Sequence, residues 1–200
     1  MYNENLIKNR VLMRRSPANT PWSMRLNIPY FEQATDYTCG PAVVAMVLSS
    51  FGHHASEEDL AHIAGTRHSD DGGTTHEGMM RAVRSKGFHG REQERNTIAE
   101  IESYLSKGFP VIIDYVEPIE EVEHYALVIG HEGDMFIFHD PSNGAEFKIS
   151  KKEFESRWYN PLPDHQCSRW MMVVSDRAFS SRRPSKEFLK KLFAVVLPNR

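Results

Sequence analysis

A chain of 200 residues is long enough to bury one hydrophobic core, and chains of this length usually form a single domain. The formal net charge of -3 provides no basic surface for a phosphate backbone, so nucleic acid is not expected as a partner. The longest apolar run, residues 42–48, is far shorter than the roughly 20 residues that a membrane span needs. Residues 1–30 lack the apolar core of a secretory signal, and we therefore expect a cytoplasmic protein.

The chain divides into three segments by composition. Residues 1–23 mix charged residues with Asn, Pro and Ser and show little periodicity, which predicts a flexible lead-in. Residues 24–176 carry the apolar patterns of one folded domain, which is expected to begin with a short edge strand over residues 24–30. Residues 177–200 form a basic extension in which a short helix is predicted. No pattern in the chain specifies an oligomeric state.

Four helices are predicted before residue 110. The first begins beside Cys39, with Pro41 in its first turn, a dense apolar body and Gly52 as its stop. In the other three runs a capping residue precedes a segment with helical apolar periodicity. The expected caps are Ser56, then Thr74 or Thr75, then Asn96, for helices over residues 57–65, 76–87 and 97–108.

Strands are predicted after Pro110, where short runs rich in branched and aromatic residues alternate with charged or Gly-containing turns. Ser150 with Glu153 resembles a capping box and predicts one more helix between the strands. Because the helices come first and the strands later, the chain is expected to be α+β with an antiparallel sheet. The runs with strand character are residues 111–116, 124–130, 135–140, 145–150 and 169–175.

Cys39 is a candidate nucleophile. A thiol attacks as its thiolate, which a helix N-terminus and a nearby imidazolium both favour. Cys39 lies at the predicted start of the first helix, where unpaired N–H groups can face a developing oxyanion. The side-chain amide of Gln33, six positions earlier, can complete such an oxyanion hole. The alternative is that Cys39 is a small buried apolar residue, as many unreactive cysteines are.

His124 and Asp140 are the candidate partners of this thiol. His124 opens one predicted strand and Asp140 closes the next, with a turn predicted over residues 130–134 between them. If the two strands are antiparallel neighbours, both side chains lie at the same end of the ribbon, as a histidine and its orienting carboxylate require. The alternatives are an exposed histidine at a strand end and an aspartate with a role in the following turn.

Six blocks of the sequence carry a family resemblance: QATDYTCGPAVVAMVLSSFG, GTTHEGMMRAVRSKG, GFPVIIDY, HYALVIG, FHDPSNG and KKEFESRW. In this order they resemble the double-glycine leader peptidase family, the bacteriocin-processing type of papain-like cysteine peptidase. The resemblance covers about residues 28–174. It implies a papain-like α+β fold in which N-terminal helices pack on a C-terminal antiparallel sheet, with residues 24–176 as the catalytic domain. No transporter segment or membrane span occurs in the sequence, so a stand-alone soluble member is expected.

The resemblance also implies roles for individual residues. Cys39 would be the nucleophile, His124 the general base, Asp140 the group that orients the histidine, and Gln33 the oxyanion donor. The expected activity is hydrolysis of an amide in a peptide or protein substrate through an acyl-thioenzyme, with no cofactor. Three alternatives remain open: deamidation of protein glutamines, acyl transfer by the same triad, and a non-catalytic binding or adaptor protein of the same fold.

For the remaining histidines, the second cysteine and the acidic run, we predict structural or surface roles. The histidines nearest to Asp70 and Asp71 show no zinc-ligand spacing, so no metal site is expected and they are predicted to be surface residues. Cys167 is predicted to be an exposed spare thiol without a disulfide to Cys39. The acidic run over residues 117–123 is interpreted as a solvated loop, with a substrate-facing lid as the alternative. The histidines predicted to lie at the surface are His53, His54, His62, His68 and His76. His139 is interpreted as a non-catalytic neighbour of Asp140.

Overall fold

The computed structural model describes residues 11–14, 23–68, 73–160 and 168–179. Within these residues the chain forms five helices and eight strands. The helices are α1 (Cys39–Ser50), α2 (Glu57–Ala64), α3 (His76–Ser85), α4 (Ile98–Ser106) and α5 (Lys151–Arg157). The strands are β1 (Val11–Arg14), β2 (Ser23–Leu26), β3 (His89–Gln93), β4 (Val111–Val116), β5 (Glu123–Glu132), β6 (Met135–Asp140), β7 (Gly144–Ser150) and β8 (Met171–Ser175).

Side chains cap four of the five helices in the described residues. Ser56, Thr75 and Ser150 each accept a hydrogen bond from a backbone N–H of the first turn of α2, α3 and α5. Thr97 caps α4 in a complete capping box with Glu100. Helix α1 differs, because its N-cap residue Thr38 makes no capping hydrogen bond.

The eight strands form one antiparallel sheet in the order β1-β2-β5-β4-β8-β3, and β6 adds to β5 and is followed by β7. Strand β5 is the centre of this arrangement. Residues 123–128 of β5 pair with β4, and residues 127–132 pair with β6. Gly130 lies where β2 pairs closely with β5. A Cβ atom at this position would be 2.1 Å from the carbonyl oxygen of Met24, so only glycine fits. The α+β class with a C-terminal antiparallel sheet is thus confirmed.

The hydrophobic core lies between the helices and the sheet. Helix α1 packs on α2, α3 and β5, and α5 packs on β4 and β7. An aromatic cluster fills the space beneath α5, where the ring of Tyr115 stacks on Phe138 with centroids 6.0 Å apart and Phe154 contacts both. Buried aromatic side chains contribute a large share of the hydrophobic stabilisation of a core. Tyr115 is therefore rigidly placed at the end of β4.

Several predictions about local structure need correction. Asn96 does not cap α4; its side-chain amide donates to the carbonyl oxygens of Gln93 and Arg169, and Thr97 takes the capping role. Within the expected flexible lead-in, Val11–Arg14 pairs with β2 as a strand. Strand β3 was not expected at all. Residues 1–10, 15–22 and 180–200, including the helix predicted in the basic extension, lie outside the described residues, as does Cys167.

Candidate active site

Cys39 is the first residue of α1 and is buried, with 8% of its surface exposed. Thr38, just before it, turns its hydroxyl back to Thr35 rather than to the helix. The first intrahelical hydrogen bond runs from the N–H of Ala42 to Thr38. The N–H groups of Cys39 and Gly40 at the start of α1 therefore remain available to an anion placed beside the thiol.

His124 lies between Cys39 and Asp140. Its Nε2 is 2.8 Å from Oδ1 of Asp140, and its side chain is 5% exposed. Cys39 also interacts electrostatically with His124. Since Nε2 is used by Asp140, the remaining ring nitrogen, Nδ1, is the one left for the thiol. The structure thus brings three of the predicted site residues into one buried line.

The electrostatics of this line favour a charged histidine. Burial works to lower the pKa of His124, but the interactions with Cys39 and Asp140 outweigh it and raise the pKa to about 10. Burial works to raise the pKa of Asp140, but hydrogen bonds and the charge of His124 hold it below its ordinary value. Asp140 is therefore ionised at neutral pH, and His124 Nε2–H donates to it.

Asp140 is held by more contacts than the sequence indicated. Its Oδ1 also accepts from the N–H groups of Ser142 and Asn143, at 3.0 and 2.9 Å, so the turn role and the histidine contact occur together. Its Oδ2 accepts from the hydroxyl of Tyr115 at 2.8 Å. Burial, and then the charge of Asp140, raise the pKa of Tyr115 far above its ordinary value, so the phenol stays protonated. Tyr115 is a site residue that sequence reasoning missed.

Gln33 lies beside this line through its backbone and its amide. The N–H of Gln33 donates to the carbonyl oxygen of Pro141, directly after Asp140, at 3.1 Å. Its Nε2 donates to the carbonyl oxygen of Thr35 at 2.7 Å, the same oxygen that Thr38 contacts. An amide nitrogen carries two hydrogens, so one remains for a further acceptor. The amide is thereby anchored in the loop that leads into α1.

The acidic run before His124 is a loop whose middle, residues 119–122, is exposed to solvent, and Glu117 holds the start of the loop in place. Glu117 is buried, and its carboxylate accepts from the N–H groups of Ile119 and Glu120 at 2.7 and 2.5 Å. Burial works to raise the pKa of Glu117, but these backbone bonds and the amide of Asn143 lower it overall. Asn143 belongs to the turn that follows Asp140, so the loop is tied to the same turn as Gln33.

The histidines outside the line have other partners. Nε2 of His139 donates to the carbonyl oxygen of Ile28 at 3.0 Å, and burial lowers the pKa of His139, in keeping with a non-catalytic role. His76 was expected at the surface, but it contacts the fully buried Asp114 at 2.8 Å. In the described part of the chain, no group of three histidine, cysteine or acidic side chains is arranged to hold a metal ion. Asp70 and Asp71 lie outside that part.

The family model described as the Peptidase_C39 like family matches residues 25–161, more than half of the chain. The chain belongs to this family. An uncharacterised protein of Methanothermobacter marburgensis is 35% identical over 112 residues, which are 56% of this chain and 70% of that protein. The transport and processing ATP-binding protein MesD for mesentericin Y105, from Leuconostoc mesenteroides, is 28% identical over 133 residues, 66% of this chain and 18% of that protein.

Solved structures of Peptidase_C39 domains share the fold. The peptidase domain of Streptococcus ComA, a bi-functional ABC transporter involved in quorum sensing, matches with a TM-score of 0.59 and 23% identity, over 74% of this chain and 98% of that one. A putative C39-like peptidase from Bacillus anthracis matches with a TM-score of 0.60 and 17% identity, over 76% and 96%. The predicted family and papain-like architecture are confirmed. Among the described residues, every helix of this C39-like chain is too short or too polar to cross a bilayer.

Proposed function

We propose that the chain is a cysteine peptidase that hydrolyses peptide bonds through an acyl-thioenzyme. The observation that carries the proposal is that the buried His124 is hydrogen-bonded to Asp140 and interacts electrostatically with the buried Cys39 at the start of α1. The family and fold are those of cysteine peptidases and support this chemistry. Cysteine activated by histidine, itself oriented by a third group, is the arrangement that nucleophilic catalysis needs.

The proposed reaction assigns one role to each residue. Sγ of Cys39 attacks the carbonyl carbon and forms the C–S bond while the carbonyl oxygen becomes an oxyanion. The Cys39 N–H at the uncapped start of α1 and the free amide hydrogen of Gln33 donate to that oxyanion. His124 then gives its Nδ1 proton to the leaving amine as the C–N bond breaks. Water, deprotonated by His124, attacks the thioester and releases Cys39.

Asp140 and Tyr115 act on this reaction through His124. The carboxylate of Asp140 holds the imidazole in one orientation and stabilises its charged form. Because Oδ2 of Asp140 is occupied by Tyr115 and Oδ1 also receives two backbone N–H groups, the carboxylate has little freedom to turn. Tyr115 therefore fixes the orientation of the group that orients the base.

A peptide is the proposed substrate class. Large apolar side chains are exposed close to the site: Phe31 near Gln33, and Ile119 and Val122, with 64% and 50% of their surface exposed, in the loop before His124. Both segments contact the turn after Asp140, so they border the same part of the surface. A double-glycine motif protease from a transporter has this fold and is 23% identical to the chain. Its solved structure contains a bound leader peptide.

Mass spectrometry of a synthetic double-glycine leader peptide and of glutamine-containing peptides, after incubation with the protein, tests the proposal. We expect cleavage after the double glycine, which Cys39→Ala and His124→Ala abolish. A shift of about one dalton without cleavage would indicate a deamidase, and an adduct on an added amine would indicate an acyltransferase.

Labelling of Cys39 separates catalysis from a binding role. With iodoacetamide at pH 6 we expect Cys39 of the wild type to react at least about tenfold faster than Cys39 of His124→Ala, since an ordinary thiol is almost fully protonated there. Equal rates in the two proteins, with no turnover of any peptide, would contradict the proposal and favour an adaptor. His62→Asn, at an exposed position on α2, is the control.

A further inference from the structure

A second histidine–carboxylate pair lies behind the candidate site. His76, the first residue of α3, places Nε2 at 2.8 Å from Oδ2 of Asp114, a residue with no exposed surface. The amide of Asn160 donates to the same oxygen at 2.9 Å. The ring of His76 stacks on Trp170, with centroids 4.0 Å apart and planes 4° from parallel. Asp114 and Trp170, which are distant from His76 in sequence, therefore hold this imidazole in place.

The residue pair of β4 and β5 that includes Asp114 is next to the pair that includes His124. In the pairing of β4 with β5, Tyr115 lies opposite His124, and Asp114 lies opposite Tyr125. Side chains of successive strand residues point to opposite faces. Tyr115 and His124 thus reach Asp140, while Asp114 and Tyr125 reach α3. The bond between His76 and Asp114 therefore joins α3 to β4, the strand that pairs with the one carrying His124.

The start of α3 also supports the turn that carries Cys39. A Cβ atom at Gly40 would lie 2.7 Å from Sδ of Met79 and 3.1 Å from Cβ of Thr74, so the backbone of α1 rests directly on these residues. The hydroxyl of Tyr125 donates to the carbonyl oxygen of Thr74 at 2.9 Å. The beginning of α3 therefore lies between the Cys39 turn on one side and the β4–β5 rungs on the other.

We infer that the hydrogen bond between His76 and Asp114 positions Cys39 relative to His124, so that His76 and Asp114 are positioning residues for the reaction. This inference rests on the proposed function, because the separation of thiol and imidazole matters only if the two react together. Misplacement by about 1 Å can lower the rate of a catalysed reaction by roughly a hundredfold. A hydrogen bond that fixes the position of the Cys39 turn relative to the strand carrying His124 can therefore control the rate without contacting the substrate.

The carboxylates around the pair favour a hydrogen-bond donor at this place. In the described part of the chain, Oδ1 of Asp114 is buried without a hydrogen-bond partner. Glu123 is a second carboxylate at the same place, joined to Asp114 through the amide of Asn160. Burial, and then the charge of Asp114, raise the pKa of Glu123 to about 7. His76 is thus the donor that this acidic cluster, defined as Asp114 and Glu123, has available from α3.

Two variants of His76 isolate the bond. The amide nitrogen of glutamine can reach the position of Nε2, whereas that of asparagine, one methylene shorter, cannot. His76→Gln and His76→Asn both remove the stacking on Trp170, so the difference between them reports the contact with Asp114. His76→Phe keeps a ring on Trp170 and removes the hydrogen bond. The exposed His62→Asn on α2 is the matched control.

The experiment measures the pH profile of Cys39 alkylation and, on the cleaved peptide, kcat and KM separately. We expect His76→Asn and His76→Phe to lower kcat and the alkylation rate at pH 6 by at least about tenfold, with KM within about twofold of wild type. His76→Gln should return both rates to within about threefold of wild type. If His76 had only a structural role, His76→Gln and His76→Asn proteins that melt at the same temperature would have equal rates.

Several outcomes would overturn the inference. Wild-type rates in folded His76→Asn would do so. Equal losses in His76→Asn and His76→Gln with normal rates in His76→Phe would also do so, because the role would then lie in the stacking on Trp170. If His76→Phe fails to fold, the comparison of His76→Gln with His76→Asn decides. If His124→Ala itself leaves Cys39 alkylation unchanged, the proposed function fails and the inference with it; if only the His76 variants are unchanged, the inference alone fails.

Discussion

The hydroxyl of Tyr115 donates to Oδ2 of Asp140, the carboxylate oxygen that His124 does not use, at 2.8 Å. The two residues are distant in sequence and are brought together by β4, β5 and β6. Since the ring of Tyr115 is clamped against Phe138, its hydroxyl is held at a fixed point. The orientation of His124 is therefore set by the aromatic core as well as by Asp140.

Tyr115→Phe is expected to lower kcat/KM by about tenfold while the protein keeps its fold. The ring and its packing remain, but one hydrogen bond to a charged acceptor is lost, an interaction worth roughly 1.5–3 kcal/mol. Steady-state cleavage of the peptide measures the effect. Tyr104→Phe, on α4 and away from the site, should leave the rate unchanged. Equal rates in wild type and Tyr115→Phe would show that Asp140 needs no such support.

Asp140→Asn is expected to lower kcat by roughly a hundredfold to ten-thousandfold, because a neutral amide cannot stabilise the imidazolium of His124. It should also change the acid stability. The folded pKa of Asp140 is held below its ordinary value, so its stabilising effect is present above that ordinary value and is lost as the pH falls through the folded pKa. Urea unfolding between pH 2 and pH 7 measures this, with Asp36→Asn at an exposed position as control.

Glu123→Gln is expected to alter the pH dependence of stability. The pKa of Glu123 is raised to about 7 in the folded protein, from an ordinary value of 4.5. The folded state therefore favours the protonated form, and wild-type stability should fall as the pH rises from about 4.5 to about 7. The variant lacks this ionisation and should be the more stable protein at pH 8. Parallel unfolding profiles for wild type and Glu123→Gln would contradict the expectation; Glu92→Gln, exposed on β3, is the control.

Gly40→Ala is expected to destabilise the protein by about 1–3 kcal/mol and to slow the labelling of Cys39. The added Cβ would approach Sδ of Met79 to 2.7 Å, which forces either that side chain or the first turn of α1 to move. Thermal unfolding and the alkylation rate measure the two effects. In the double variant Gly40→Ala with Met79→Ala, the combined loss of stability should be smaller than the sum of the two single losses, because the close contact is gone.

The sequence predicted most elements whose signals are local. Ser56 and Gly65 bound α2 as expected, and the two strands that carry His124 and Asp140 pair as the turn between them indicated. Strand β3, HGREQ, could not be predicted, because it has none of the branched or aromatic residues typical of strands. It forms because β8 offers it an edge. Its structure is a consequence of the tertiary fold.

The candidate site likewise contains residues with a local sequence signal and residues whose partners are set by tertiary packing. His124 and Asp140 were found because each lies at a strand end beside a turn. Tyr115 was missed, since a tyrosine in an apolar strand is normally a core residue; the signal was the change from apolar to polar residues at Asp114. His76 was missed because its partner is 38 residues away in sequence. Pairing across elements of this kind follows from the packing of α3 on the sheet.

The absent cap of α1 bears on how this protein would respond to selection for heat resistance. In the variant Thr38→Asp the carboxylate could accept from the N–H of Gly40, a change commonly worth about 1 kcal/mol. Under the proposed function, the same carboxylate would lie close to the oxyanion bound by the Cys39 N–H and would repel the charge that develops there. Variants ranked by melting temperature alone would therefore be enriched in proteins that fold well and cannot turn over substrate.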